Sequence, residues 1–466
     1  MEALTTLLAD YVWSAKFEFL PPEVVEKCTF LFADTVAVAL AGHKAPGVRE
    51  VRAVALQEKG VSHAAIWGYG DWVPAREASL VNGTMAHALD FDANHDVVDY
   101  KACVATIPAA IATAQFMKNQ GRTLSGRDFL TAVYTGIEFG SRIAVGINPK
   151  PCHALARTVG CFASTISAAK VLGLSPAKIG NALGIAFAET GLGGVTTESP
   201  ALTKRLGAGI ASRAGVWAAF LAEKGFTGQI EIFSGPNGFY QVYFKEEEDA
   251  ELVVGELGKS FQTFSIAVKP YPCCRYTHSA IDCALTLKEK EGLPLQEIVK
   301  ITAWVNERDF EIIGGGGIEE HIRILRNPRG VVDAQFSLPY TIALALVIGK
   351  PRIRDFKEEA LRRPDVLDVA NKVEVKLDPV YGKNLGEKRV KIEIETKQGT
   401  TLKAAVEAPR PADEEEFLVE KMHDCLIESG LFDDSQLDGL IDVWLHIDEL
   451  TDVEEAFACL SMGTAS

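Results

Sequence analysis

Val268-Lys269-Pro270-Tyr271-Pro272-Cys273-Cys274-Arg275-Tyr276-Thr277-His278 is where one kind of chain gives way to another. Two prolines stiffen its entry and exclude it from a helix interior. Before it, the sequence reads as helices. Leu20-Pro21-Pro22-Glu23 is a helix start, with proline near the first turn and an acid after it. Val24–Ala41 follows with helical apolar spacing, and Cys103–Met117 and Cys161–Leu172 are apolar and rich in small residues. Ala208–Lys224 is another Ala-rich helix, ended by Gly225. After it the period changes. A helix is expected over Ser279–Glu291, a strand over Ile298–Val305 and a second helix over Val332–Ile348. Lys372–Leu377 and Val390–Glu395 alternate with period two. Past Pro409 and Pro411, the run Asp413-Glu414-Glu415-Glu416 opens a further helical segment. The expected fold is mostly α with an α+β part. A discontinuous helical domain (residues 1–267 and 406–466) carries an inserted α+β module (residues 268–405) before its C-terminal helices.

Composition narrows the function classes. Hydrophobic residues make up 47% and charged residues 24%, which excludes a largely disordered chain. The formal charge is −16, from 63 acidic against 47 basic residues, so nucleic-acid binding has no global electrostatic support. Any anion site must be local, built from a few placed cations. No apolar run is long enough to span a membrane. Met1-Glu2-Ala3-Leu4 lacks the basic start of a secretory signal, and nine cysteines in so long a chain make no disulfide scaffold. A reduced, cytoplasmic protein is expected. No CxxC or HExxH spacing occurs, so no metal site is expected. Gly314–Gly317 is followed by no Gly-Lys-Ser/Thr, and no G-x-G-x-x-G follows a strand, which argues against nucleotide and nicotinamide cofactors.

Three stretches could carry chemistry. In Asn82–Asp96, two histidines, three aspartates and two asparagines lie among apolar residues. If helical, His87, Asp90 and Asn94 share one face and make a pocket wall; the alternative is a capped helix end and a solvated loop. The junction stretch gathers Lys269, Arg275, Tyr276 and His278, suited to holding a carboxylate, or is only a stiffened linker. Thr203-Lys204-Arg205 places adjacent cations before a helix start, which suits an anion, or is a solvated basic turn. His153 stands alone after Pro151-Cys152 and reads first as structural.

Together these motifs resemble the MmgE/PrpD family. The resemblance runs through Asn82-Gly83-Thr84, His87-Ala88-Leu89-Asp90-Phe91-Asp92 and Lys269–His278. Glu138 with Arg142, Lys204-Arg205-Leu206 with Gly209, Gly225–Gly228 and Asp333–Tyr340 support it. It implies a large helical domain with a smaller α+β lid, a homodimer, a small di- or tricarboxylate substrate, and neither metal nor organic cofactor. It places the family's active-site aspartate on Asp90, its threonine on Asn94, its lysines on Lys204 and Lys269, and its mid-chain histidine on His153. One departure is clear. Val98-Asp99-Tyr100-Lys101-Ala102 stands where dehydratase and decarboxylase members carry a histidine, with Tyr100 or Lys101 near its place. A reaction that expels no leaving group needs no such acid. The expectation is therefore a cofactor-independent epimerase, an isomerase acting on a dicarboxylic amino-acid derivative such as iminodisuccinate. Lys269 would serve one face of the carbon and His153, His95, Tyr100 or Lys101 the other, with Asp90 orienting. Asn94, Lys204, Arg205, Arg275, Tyr276 and His87 would bind substrate. The alternatives are a dehydratase or decarboxylase of a citrate-like tricarboxylate such as 2-methylcitrate or cis-aconitate, and a non-catalytic carboxylate-binding protein.

Overall fold

The computed structural model describes residues 4–58, 60–147, 155–191, 201–246, 249–291, 294–380, 382, 388–410 and 414–462. It is mostly α, with a smaller α+β part. The chain divides into two compact units. The first comprises Met1–Val195, Leu202–Val268 and Asp413–Ser466; the second comprises Thr196–Ala201 and Lys269–Ala412.

In the first unit, long helices span Pro22–Ala41, Ala75–His87, Cys103–Asn119, Gly126–Val145, Leu155–Val171 and Thr203–Glu223. They pack closely because small residues face one another. Ala105, Cys161, Ala211 and Ala214 form one such buried contact between three of them. Helix Glu415–Ser429, in the C-terminal segment, lies against Pro22–Ala41 and buries Leu418, Met422, Cys425 and Leu426. A short hairpin, Ala64–Ile66 with Asp71–Val73, turns through Gly68 and Gly70, both at positive φ. Among the described residues, no helix is long and apolar enough to cross a membrane.

The second unit holds a four-stranded sheet. Ile298–Val305 pairs in parallel with Val373–Leu377 and antiparallel with Val390–Thr396, which pairs with Thr401–Val406. Val390, Ile392 and Ile394 alternate onto the buried face, as a one-sided sheet requires, against Ala280, Ile281, Ala284 and Leu287 of helix His278–Glu291.

Two boundaries differ from expectation. The helix expected over Val332–Ile348 is two, Val331–Gln335 and Leu338–Val347. Pro339 has no N–H to continue the first, and Ser337 Oγ accepts from the Tyr340 N–H at 2.9 Å to cap the second. The helix expected from Ala208 begins at Thr203, so Lys204 and Arg205 lie in its first turn rather than before it.

Candidate functional site

Helices Ala75–His87 and Thr203–Glu223 meet glycine to glycine. A Cβ on Gly83 would stand 3.0 Å from the Gly209 Cα, and one on Gly209 would collide with the Leu80 carbonyl and the Thr84 hydroxyl. This crossing sets the first turn of the second helix beside the chain leaving the first. Lys204 Nζ there lies 2.5 Å from Asp90 Oδ1.

His87, Asp90 and Asn94 do not share a helical face. The helix ends at His87, Asp90 turns out at φ 51°, and Asn94 lies in a strand. An aspartate is among the few residues that adopt this left-handed conformation, at modest cost. Asn94 and His95 pair antiparallel with Ala267 and Ile266, and the His95 N–H donates to the Tyr100 carbonyl at 2.8 Å. Behind this ribbon, the buried Glu138 accepts from the Gln262 and Thr263 N–H groups at 3.0 Å and pairs with Arg142 at 2.7 Å. Lys101 Nζ donates to Asn94 Oδ1 and lies 3.3 Å from Asp99 Oδ1. The Lys204 and Lys101 side chains are 23% and 12% exposed, against 6% for Asp90. Each of these partly exposed ammonium groups thus stands against a buried acceptor, Lys204 on Asp90 and Lys101 on Asn94.

His87 is buried, with Nδ1 3.0 Å from Asp92 Oδ1. The carboxylate accepts only, so Nδ1 carries the proton and Nε2 keeps its lone pair. Burial holds the His87 pKa below the usual value despite the opposing pull of Asp92; Lys204 adds to the lowering. The unfolded chain thus takes up a proton near pH 6.5 that the folded protein refuses. The stabilisation is complete above that pH and is lost as pH falls toward the folded value. Between pH 7.5 and 5.5, urea unfolding of the wild type should lose up to about 1.4 kcal/mol more than His87→Gln. Parallel losses in the two proteins would sink the assignment.

His87, Asp90 and Asp92 offer metal-ligand atoms within 4.8 Å of one another. The Oδ1 atoms of Asp90 and Asp92 face Lys204 and His87.

The other expected site residues are placed as follows. The buried Arg205 donates from Nη1 to the Pro46 carbonyl at 2.9 Å. His95 Nε2 lies 3.3 Å from Gln262 Oε1. The Tyr100 ring is buried with its hydroxyl against Gly140, and burial pushes its pKa up. His153 lies outside the described residues. Lys269, Arg275 and Tyr276 belong to the second unit. There Lys269 Nζ donates to the Cys273 carbonyl at 3.0 Å, Arg275 Nη1 lies 3.2 Å from His278 Nδ1, and Arg308 stacks over Tyr276. Gln335 clamps this loop, donating to the Pro272 carbonyl while accepting from the Cys274 N–H. Asp92, Asp99 and Lys421 were not singled out from the sequence. The first two are neighbours of chosen residues, whereas Lys421 has no local signal.

Two family models match the chain: the MmgE/PrpD N-terminal domain over residues 6–251 and the MmgE/PrpD C-terminal domain over residues 271–438. A cis-aconitate decarboxylase of Aspergillus terreus is 26% identical, over 99% of this chain and 97% of its own. The human and mouse cis-aconitate decarboxylases are 26% and 25% identical, over 81% and 86% of this chain and 78% and 81% of theirs. These names overturn the expectation of an isomerase acting as an iminodisuccinate epimerase. That expectation rested on one missing histidine, and a missing donor at one position does not exclude donors elsewhere. The chain belongs to the MmgE/PrpD family.

Proposed function

We propose that the protein is a carboxy-lyase that removes CO₂ from a small unsaturated tricarboxylate of the cis-aconitate class. The observation that carries this reading is the pair of partly exposed ammonium groups, Lys204 on Asp90 and Lys101 on Asn94. The cis-aconitate decarboxylase relatives, one of them matching along almost the whole chain, support the substrate class.

The chemistry fits those groups. The bond from an allylic carbon to its carboxylate breaks, its electron pair stays on the carbon, and CO₂ leaves. The pair delocalises through the double bond, which shifts by one carbon, onto the carbon beside a remaining carboxylate, and that carbon then takes up a proton. Net, the trianion takes up one proton and becomes CO₂ and an unsaturated dicarboxylate dianion. Charge that spreads toward a carboxylate is stabilised by fixed cations already in place. Lys204 and Lys101 supply them, the positive end of helix Thr203–Glu223 reinforces Lys204, and either ammonium can give the proton. Asp90 and Asn94 hold the two ammonium groups in position.

The test is CO₂ release from cis-aconitate by the purified chain, followed alongside proton NMR of the products. CO₂ and an unsaturated dicarboxylate in equal amounts are expected. Water loss from 2-methylcitrate or citrate without CO₂ would make the protein a dehydratase. Carboxylate binding by calorimetry with no turnover would make it a binding protein.

A further inference from the structure

The Phe91 carbonyl lies between the two aspartates of the site, Asp90 facing Lys204 and Asp92 facing His87. Lys421, on helix Glu415–Ser429, donates to it at 2.9 Å across 330 positions of sequence. The same ammonium stands 2.6 Å from Asp34 Oδ1 on helix Pro22–Ala41 and 3.9 Å from the centroid of the Phe91 ring. The lysine and aspartate side chains are 2% and 0% exposed.

A buried carbonyl needs a donor, and a charged donor makes a strong one. The ion pair alone does not account for the arrangement as a source of stability. Desolvating two charges offsets most of their attraction, and apolar replacements of buried pairs are often as stable. What the pair does achieve is to fix a cation, on three sides, at one carbonyl. The carbonyl it grips follows directly on Asp90, whose left-handed conformation (φ 51°) sets the course of the loop.

We propose that Lys421, itself held by Asp34, is a positioning residue of the site. It fixes the Phe91 peptide and thereby sets where Asp90 presents Lys204 and where Asp92 presents His87. The C-terminal segment thus helps to complete a site whose other groups lie in the first half of the chain. The claim for turnover rests on the carboxy-lyase reading above; the claim for geometry does not.

Three variants test it: Lys421→Met, Asp34→Asn, and the two combined. Each is assayed for CO₂ release from cis-aconitate and for thermal stability, and the His87 ring is followed by NMR of histidine-labelled protein. Lys421→Met leaves a buried carboxylate without its cation and should be the least stable. The double variant removes both charges and should melt close to the wild type. Its kcat should nevertheless stay down by about 10²-fold, the scale of a roughly 1 Å misplacement, with the His87 resonances moved. Asp34→Asn leaves Lys421 on the carbonyl and should keep most of the activity. A double variant that regains stability, wild-type kcat and wild-type His87 resonances together would overturn the proposal. A double variant that fails to fold would also overturn it, making the pair a stability element. If the wild type itself releases no CO₂, the functional reading fails, while the His87 resonances still decide the positioning claim.

Discussion

Lys204→Met is expected to lower kcat/KM for cis-aconitate by about 10²–10³-fold, the scale of losing one fixed group that stabilises transition-state charge. The substitution keeps most of the side-chain length and removes the ammonium. The Lys204 side chain is partly exposed, so the variant should remain folded. Asp90 is its counter-charge, and Asp90→Asn should cost less, because the ammonium remains and loses only its orientation. Combining the two should cost little more than Lys204→Met alone, since groups that act as a unit are not additive. Initial rates of CO₂ release, with circular dichroism to confirm folding, decide the matter. A Lys204→Met protein retaining more than a tenth of wild-type activity would remove Lys204 from the proposed role.

The sequence is legible where period and punctuation agree. Pro22–Ala41 follows from apolar spacing with a proline start, Cys103–Asn119 from a long apolar, Ala-rich stretch, and Ile298–Val305 from a β-branched run. Legibility fails where a local signal is too short or is overridden. The strands Ala64–Ile66 and Asp71–Val73 have three residues each, fewer than a period-two pattern needs. The break before Leu338 hinges on Ser337 and Pro339 inside an otherwise apolar helical stretch. The helical face drawn through His87, Asp90 and Asn94 fails at one dihedral angle, which residue types do not encode. The cluster itself is harder still. Asp90 and Lys204 are 114 positions apart, and residue spacing alone does not bring them together. Lys421 is the extreme case. On a helix entered through Glu414, Glu415 and Glu416, a lysine reads as a solvated charge, yet it is among the most buried cations described. The reaction was misread for a different reason: the inference ran from what one position lacks, while Lys101, at nearly that position, touches Asn94.

The crossing that brings the lysine to the aspartate yields a prediction whose sign separates two effects. Alanine is a better helix former than glycine by about 1 kcal/mol, so propensity alone says that Gly209→Ala stabilises helix Thr203–Glu223. Packing says the reverse. The new methyl would meet the Leu80 carbonyl, which is backbone of the facing helix and cannot rotate away, as well as the Thr84 hydroxyl. Overpacking of this kind costs about 1–3 kcal/mol, occasionally more, and should exceed the propensity gain. Gly207 is the internal control. It lies on the same helix, and among the described residues a methyl there would meet Arg157 Cβ at 3.6 Å, an ordinary contact. Gly207→Ala should therefore be neutral to stabilising in urea unfolding, while Gly209→Ala is destabilised. The functional consequence follows from the same geometry. Relief of the clash moves the two helices apart, and Lys204 lies five residues before Gly209. Gly209→Ala should thus lose CO₂ release at temperatures where it is still folded, with Gly207→Ala near wild type. Equal stabilities for the two variants would show that the crossing yields without strain, and that the lysine reaches Asp90 for some reason other than the glycine contact.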